Sequence, residues 1–179
     1  KGALSSDVGG SKSVAIGHSA LETQNMGSSD TDSNNVAIGY NAGSRITTGT
    51  GNTFLGAFVG DVCVDSVNNV AIGINALGDD AVGENVAIGN SSLAACTASN
   101  NTAVGASSGK AVTSGSQNVF VGNDAGLAVI GGANHVAVGY RALRASTSAN
   151  GNTAVGRDAG LVVTGGGNTF IGDAAGDST

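Results

Sequence analysis

Along this chain the hydrophobic positions fall in short bursts, each closed by a glycine and separated from the next by a polar, turn-forming stretch. The burst is a five-residue phrase that recurs ten times. It reads SVAIG ending at Gly17, NVAIG at Gly39, NTFLG at Gly56, NVAIG at Gly73 and NVAIG at Gly89. It continues as NTAVG at Gly105, NVFVG at Gly122, HVAVG at Gly139, NTAVG at Gly156 and NTFIG at Gly172. Successive glycines are 22, 17, 17, 16, 16, 17, 17, 17 and 16 residues apart, so the chain is an array of one repeated unit. The residue before each glycine is aliphatic: Ile16, Ile38, Leu55, Ile72, Ile88, Val104, Val121, Val138, Val155 and Ile171. Three before it stands Val or Thr, and a β-branched pair flanking one residue predicts a strand. After the glycine come two variable positions, a small residue, and then Leu or Gly in every copy. Several copies follow with a second apolar alternation, as at 111–113, 128–130 and 162–164. Each unit therefore reads strand, tight turn, strand, polar turn.

Two short strands cannot enclose a core by themselves, but stacked units can pair backbone to backbone at about 4.8 Å per layer. The predicted fold is all-β: a parallel β-solenoid, or β-roll, of about ten 16–17-residue coils with two short strands each, a rod on the order of 45–50 Å long. Residues 1–12 form a lead-in segment and 13–179 the solenoid, and the one long interval places an acidic, polar loop insertion at 22–34 that should bulge from the rod. Stacking lines up like residues. The aliphatic row before the glycines forms one ladder, and a second is formed by Asn35, Asn52, Asn69, Asn85, Asn101, Asn118, Asn152 and Asn168, which open eight of the ten phrases. Asparagine suits turn geometry, and stacked amides can bond one another.

The first strand is apolar on both faces, which one buried face does not require. The sequence reading turns the Val/Thr and Ile/Val/Leu positions inward, against the second strand of their own coil. It turns the Ala/Phe position between them outward, toward another copy of the chain in cyclic symmetry.

Composition narrows the alternatives. The chain has 179 residues with 31 Gly and no Pro or Trp, so collagen is excluded, and its aliphatic content is too high for a disordered chain. Seven Lys and Arg against 13 Asp and Glu, a net charge of −6, argue against a nucleic-acid surface. No apolar run approaches the ~20 residues of a membrane span.

The phrases NVAIGYNAG at 35–43 and HVAVGYRALRASTSANGNTAVGRDAGLVVTGGGNTFIGDAAG at 135–176 resemble repeats of phage and viral tail-fibre proteins, of the kind found upstream of endosialidase-type intramolecular chaperone domains. The SVAIG core is also similar to the head repeats of trimeric autotransporter adhesins, which form a left-handed parallel β-roll. The resemblance covers residues 13–176, and its motif speaks to architecture more than to function. It implies a homotrimer serving as the shaft or head segment of a virion tail fibre that supports or presents host-receptor binding. The alternative it implies is an adhesin head on a bacterial surface that binds host matrix. Either way the implied partners are copies of itself, other fibre or virion proteins, and a host glycan or protein receptor.

The candidate chemistry is sparse. Cys63 and Cys96 share an interior column with Ile46, Val112, Val129 and Val163. They lie two coils, about 9–10 Å, apart, too far for a disulfide, and read as buried free thiols. His18 and His135 occupy different columns, and His135 replaces a ladder Asn. Asp124 and Asp158 share a column two coils apart and read as surface acids, with no calcium-binding phrase around them. No Ser–His–acid constellation emerges at matching heights, so the sequence predicts no catalytic, metal or cofactor site. Tyr40, Tyr140, Arg141 and Arg157, in the variable positions after the glycines, are the candidate receptor contacts.

Overall fold

A computed structural model describes residues 2–27, 31–147 and 149–177. Its strands are short. In chain order they are β1 (Gly10–Ser11), β2 (Val14–Ile16), β3 (Thr31–Asp32), β4 (Val36–Ile38), β5 (Thr53–Leu55), β6 (Val70–Ile72), β7 (Val86–Ile88), β8 (Thr102–Val104), β9 (Val119–Val121), β10 (Val136–Val138), β11 (Thr153–Val155) and β12 (Thr169–Ile171). The ten three-residue strands, one per phrase, stack into a single parallel sheet, from which only β1 and β3 stand apart. Each strand of that sheet pairs with the next in strict register, Ile38 beside Leu55 and Leu55 beside Ile72. The chain is an all-β parallel solenoid, with no helix among the described residues.

The second stretch of each coil is tied to its neighbours without settling into a strand. Thr97 N–H donates to the Thr113 carbonyl at 3.0 Å and Thr113 N–H to that of Ile130 at 2.8 Å, yet only isolated bridges such as Ala145 with Val162 have strand geometry. The reason lies in the turns. In a typical coil four residues take positive φ: Asn68 (57°), Gly73 (127°), Asn75 (55°) and Leu77 (51°) bend a single winding. A chain reversed so often has no room for a second straight run. At the anchor glycine the requirement is double, because a Cβ on Gly73 would also stand 2.6 Å from the Gly89 carbonyl of the next coil.

The two faces of the main sheet are the reverse of the sequence expectation. Ala37, Phe54, Ala71, Ala87, Ala103, Phe120, Ala137 and Ala154 are fully buried inside the rod. The flanking Val/Thr and Ile/Val/Leu ladders point outward: Ile38, Ile72, Ile88, Val104 and Val138 are half-buried by their neighbours, whereas Ile16, Leu55, Val121, Val155 and Ile171 are exposed. Strand periodicity explains the inversion. The asparagines lie two residues before the Ala/Phe position and so share its face. Asn35, Asn52, Asn69, Asn85, Asn101, Asn118 and Asn152 are all fully buried, so the Ala/Phe row must be buried with them.

Inside, the asparagine ladder holds the coils in register. Each Oδ1 accepts the backbone N–H of the next ladder residue, as Asn69 N–H to Asn52 Oδ1 at 3.1 Å. At most steps it also accepts the next Nδ2, as from Asn85 to Asn69 at 3.2 Å. The rest of the interior is apolar and packs by complementary volume. Phe54 lies between Gly43 and Gly60, Phe120 between Gly109 and Gly126, and Phe170 between Gly160 and Gly176. In each case a Cβ on either glycine would collide with the ring. Coils without a nearby Phe place Leu21, Leu77, Leu93 or Leu143 in that column, all fully buried. One Phe thus fills the space of two leucines, which explains why the column holds only Leu or Gly.

Of the insertion at 22–34, Gln24 and Ser33 are buried and Thr23, Asn25, Gly27, Asp32 and Asn34 are exposed; its residues 28–30 lie outside the described set. Gln24 is fully buried and extends the polar ladder downward, its Oε1 accepting from Asn35 Nδ2 at 3.0 Å and from the Ser13 hydroxyl at 3.2 Å. Strand β3 pairs in parallel with β1 of the lead-in segment, and Lys12 Nζ meets Asp32 Oδ2 at 2.6 Å. An unpaired amide row at the end of the ladder would be costly, and Gln24 meets that need.

Candidate functional site

Two surfaces of the rod carry side chains that its internal packing does not use. The first is the outer face of the main sheet. Its two ranks of Val/Thr and Ile/Val/Leu run unbroken over ten strands. A purely parallel sheet is ordinarily covered on both faces.

The second surface is the corner formed by the two residues after each anchor glycine. The second of them adopts positive φ, from 51° at Ala174 to 56° at Ser107 and Asp124, which turns the chain and directs the first outward. Tyr40, Ile74 and Tyr140 stand about half exposed there. The His18 and Tyr40 rings stack with centroids 5.4 Å apart, and Phe58 meets Tyr40 edge-on at 5.2 Å. Sequence reasoning picks out Tyr40 but misses Phe58. Its signal is a bulky aromatic in a left-handed turn column that otherwise holds Ser, Asn, Asp, Arg and Ala.

Toward the other end the same corner is charged. Arg141 lies 5.7 Å from the Tyr140 ring centroid and places Nε 3.4 Å from Asp158 Oδ1. Arg157 reaches Asp158 Oδ2 at 3.2 Å and Asp173 Oδ2 at 2.7 Å, and the Asp173 carboxylate holds its guanidinium pKa above the ordinary value. Asp158, expected as a surface acid, is only 8% exposed because two arginines close over it. Stacking thus brings Tyr140, Arg141 and Arg157 into one cluster. Tyr40 lies six coils away, about 29 Å along the rod.

The thiols are buried and free, as expected. Cys63 points its Sγ toward the Asp79 carbonyl at 3.3 Å, and burial pushes its pKa up to about 11. Burial also raises Cys96, whose Sγ accepts from Asn101 Nδ2 at 3.6 Å. A hollow of about 180 Å³ is lined by Asp65, Ser66, Asp80, Ala81 and Val82. Its carboxylates are occupied: Asp80 accepts from Val64 N–H, and Asp65 from the Thr47 and Thr48 hydroxyls, which lower its pKa. Among the described residues no group of three His, Cys, Asp or Glu is placed to hold a metal ion, and no helix is long and apolar enough to cross a membrane. No family model, curated protein or solved structure matches the chain.

Proposed function

We propose that this chain is a structural segment of a homotrimeric fibre, the shaft or head of a viral or phage tail fibre that supports or presents host-receptor binding. One observation carries the reading: the outer sheet face offers an unbroken, in-register Ile/Val/Leu rank along the whole rod, beside a parallel rank of Val and Thr. Burying one Val, Leu or Ile side chain is worth about 1.5–3 kcal/mol, so a face that presents such side chains on ten successive strands has a strong drive to meet its like. Three rods with these faces turned to a common axis would bury them along their full length, and the continuous backbone pairing would make the assembly stiff. The oligomer number follows the likeness to fibre and adhesin repeats. No catalysis, cofactor or metal enters the reading.

The corner residues are then the side-facing contacts, with Tyr40 beside His18 and Phe58 at one level and the Tyr140, Arg141 and Arg157 cluster at another. The exposed ring cluster favours the second reading, a trimeric adhesin head on a bacterial surface that binds host matrix along its flank.

Sedimentation equilibrium tests the assembly. The expected mass is three times the 17.0 kDa of the chain. Ile72→Asp, on the outer face, should leave the circular dichroism of the rod intact while releasing monomers. A wild-type monomer, or an Ile72→Asp protein that stays fully assembled, would overturn the reading.

A further inference from the structure

The asparagine ladder contains one side chain that titrates near neutrality. His135 is fully buried in the coil of β10, where every neighbouring ladder residue is Asn. Its backbone N–H donates to Asn118 Oδ1 at 2.9 Å, as an asparagine there would, and its ring Nδ1 accepts the Asn152 N–H at 3.1 Å. That bond fixes the tautomer: Nδ1 carries the lone pair and Nε2 the proton. Nε2 finds no well-formed partner, although the Ala149 carbonyl lies close enough to favour a proton there. An amide Oδ1 cannot be protonated in this range, but an imidazole Nδ1 can. Adding that proton turns an acceptor into a donor aimed at another donor.

The surroundings offer no rescue. The groups that meet the ring are the Asn152 backbone amide at Nδ1, and the Ala149 carbonyl and Gly132 on the Nε2 side. None is charged, and no carboxylate or cation acts on the ring's titration. The same coil is also the least satisfied one. Of the five buried side-chain atoms without a hydrogen-bond partner among the described residues, three belong to it: His135 Nε2, Arg144 Nε and Ser146 Oγ. Ser146 stands in the column that holds Ile46, Cys63, Cys96, Val112, Val129 and Val163 in six other coils and Gln24 and Asp80 in two.

We propose that His135 is a proton-operated joint, at which acidification parts the coils of β11 and β12 from the eight strands β2 to β10 of the main sheet. The sign follows from burial, which lowers the ring's pKa from its ordinary 6.5. The folded state favours the neutral ring, so stability is complete above 6.5 and is lost as pH falls from there toward the lower folded-state value. Within that window each pH unit multiplies opening of the joint by about tenfold.

Amide hydrogen exchange, normalised to intrinsic rates and compared at about pH 7.5 and about pH 5, tests this. The wild-type chain should lose protection across β11 and β12 at the lower pH and keep it across β4 to β8. His135→Asn, which restores the ladder residue, should keep protection at both, whereas replacing the exposed ring in His18→Asn should leave the wild-type loss unchanged. Equal wild-type protection at both pH values, or the same loss in His135→Asn, would overturn the proposal. A ring ¹⁵N spectrum at the higher pH showing the proton on Nδ1 would do so independently.

Discussion

Replacing Gly126 by leucine should damage the wild-type rod and repair a damaged one. In the native core a Cβ at this position would stand 2.8 Å from Cγ of Phe120 and nearer still to Cδ1 and Cε1, so Gly126→Leu forces a side chain into the ring's space. Overpacking costs about 1–3 kcal/mol, and the upper end applies where the ring is fully buried and clamped between coils. Phe120→Ala alone empties that space at about 3–5 kcal/mol. When the two substitutions are combined, the introduced leucine occupies room the ring has left. The backbone is already suitable, since Leu77 and Leu93 hold φ of 51° and 48° in the same column. Burial returns about 1.5–3 kcal/mol against roughly 1 kcal/mol for the left-handed conformation, a net gain of about 1 kcal/mol in the Phe120→Ala background. The same substitution thus changes sign, with a coupling near ~4 kcal/mol where independent sites would show almost none. Urea denaturation of the four proteins, followed by far-ultraviolet circular dichroism, measures it. If Gly126→Leu lowers the midpoint equally in both backgrounds, the one-ring-for-two-leucines account of the core is refuted.

Ala87→Arg should abolish folding, because it places a charge in the fully buried row; a soluble protein with native circular dichroism would contradict the inward assignment. Asn118→Ala removes the acceptor of His135 N–H and the donor to the Asn101 Oδ1 and Gly132 carbonyl, and should cost about 3 kcal/mol in a denaturant titration. Cys63 should resist alkylation in the native state. Raising its pKa from 9.0 to about 11 lowers the thiolate fraction at neutral pH by about a hundredfold, and burial adds to that, so labelling should appear only on unfolding.

Outward orientation of the Ile and Val ladders was open to inference, and the sequence reading has it reversed for an instructive reason. It weighs side chains by hydrophobicity, which sends Ile72 inward and Ala71 out. Parity along the strand decides otherwise once the asparagines are recognised as an internal ladder rather than turn residues, because Asn69 and Ala71 lie on one face. The pairing of each Phe with glycine in its own and the preceding coil was also present in the column order, from Gly43–Phe54–Gly60 to Gly160–Phe170–Gly176. It becomes legible only when coils are compared with their neighbours and not one by one. Asp158 between two arginines and Phe58 against Tyr40 needed the coil height and turn direction that stacking supplies.

The amino-acid order alone settled that the chain is a stacked parallel array, because a unit repeated at 16–17 residues with a glycine at every close backbone approach has no other way to satisfy its peptide groups. It likewise settled that the thiols are interior and unpaired. Which face of a three-residue strand looks inward was decided by the tertiary structure. Two apolar faces give a local pattern no preference, and it is the burial of the asparagine ladder against the neighbouring coils that carries the Ala/Phe row, on the same side of the strand, inside and leaves the Val and Ile rows outside.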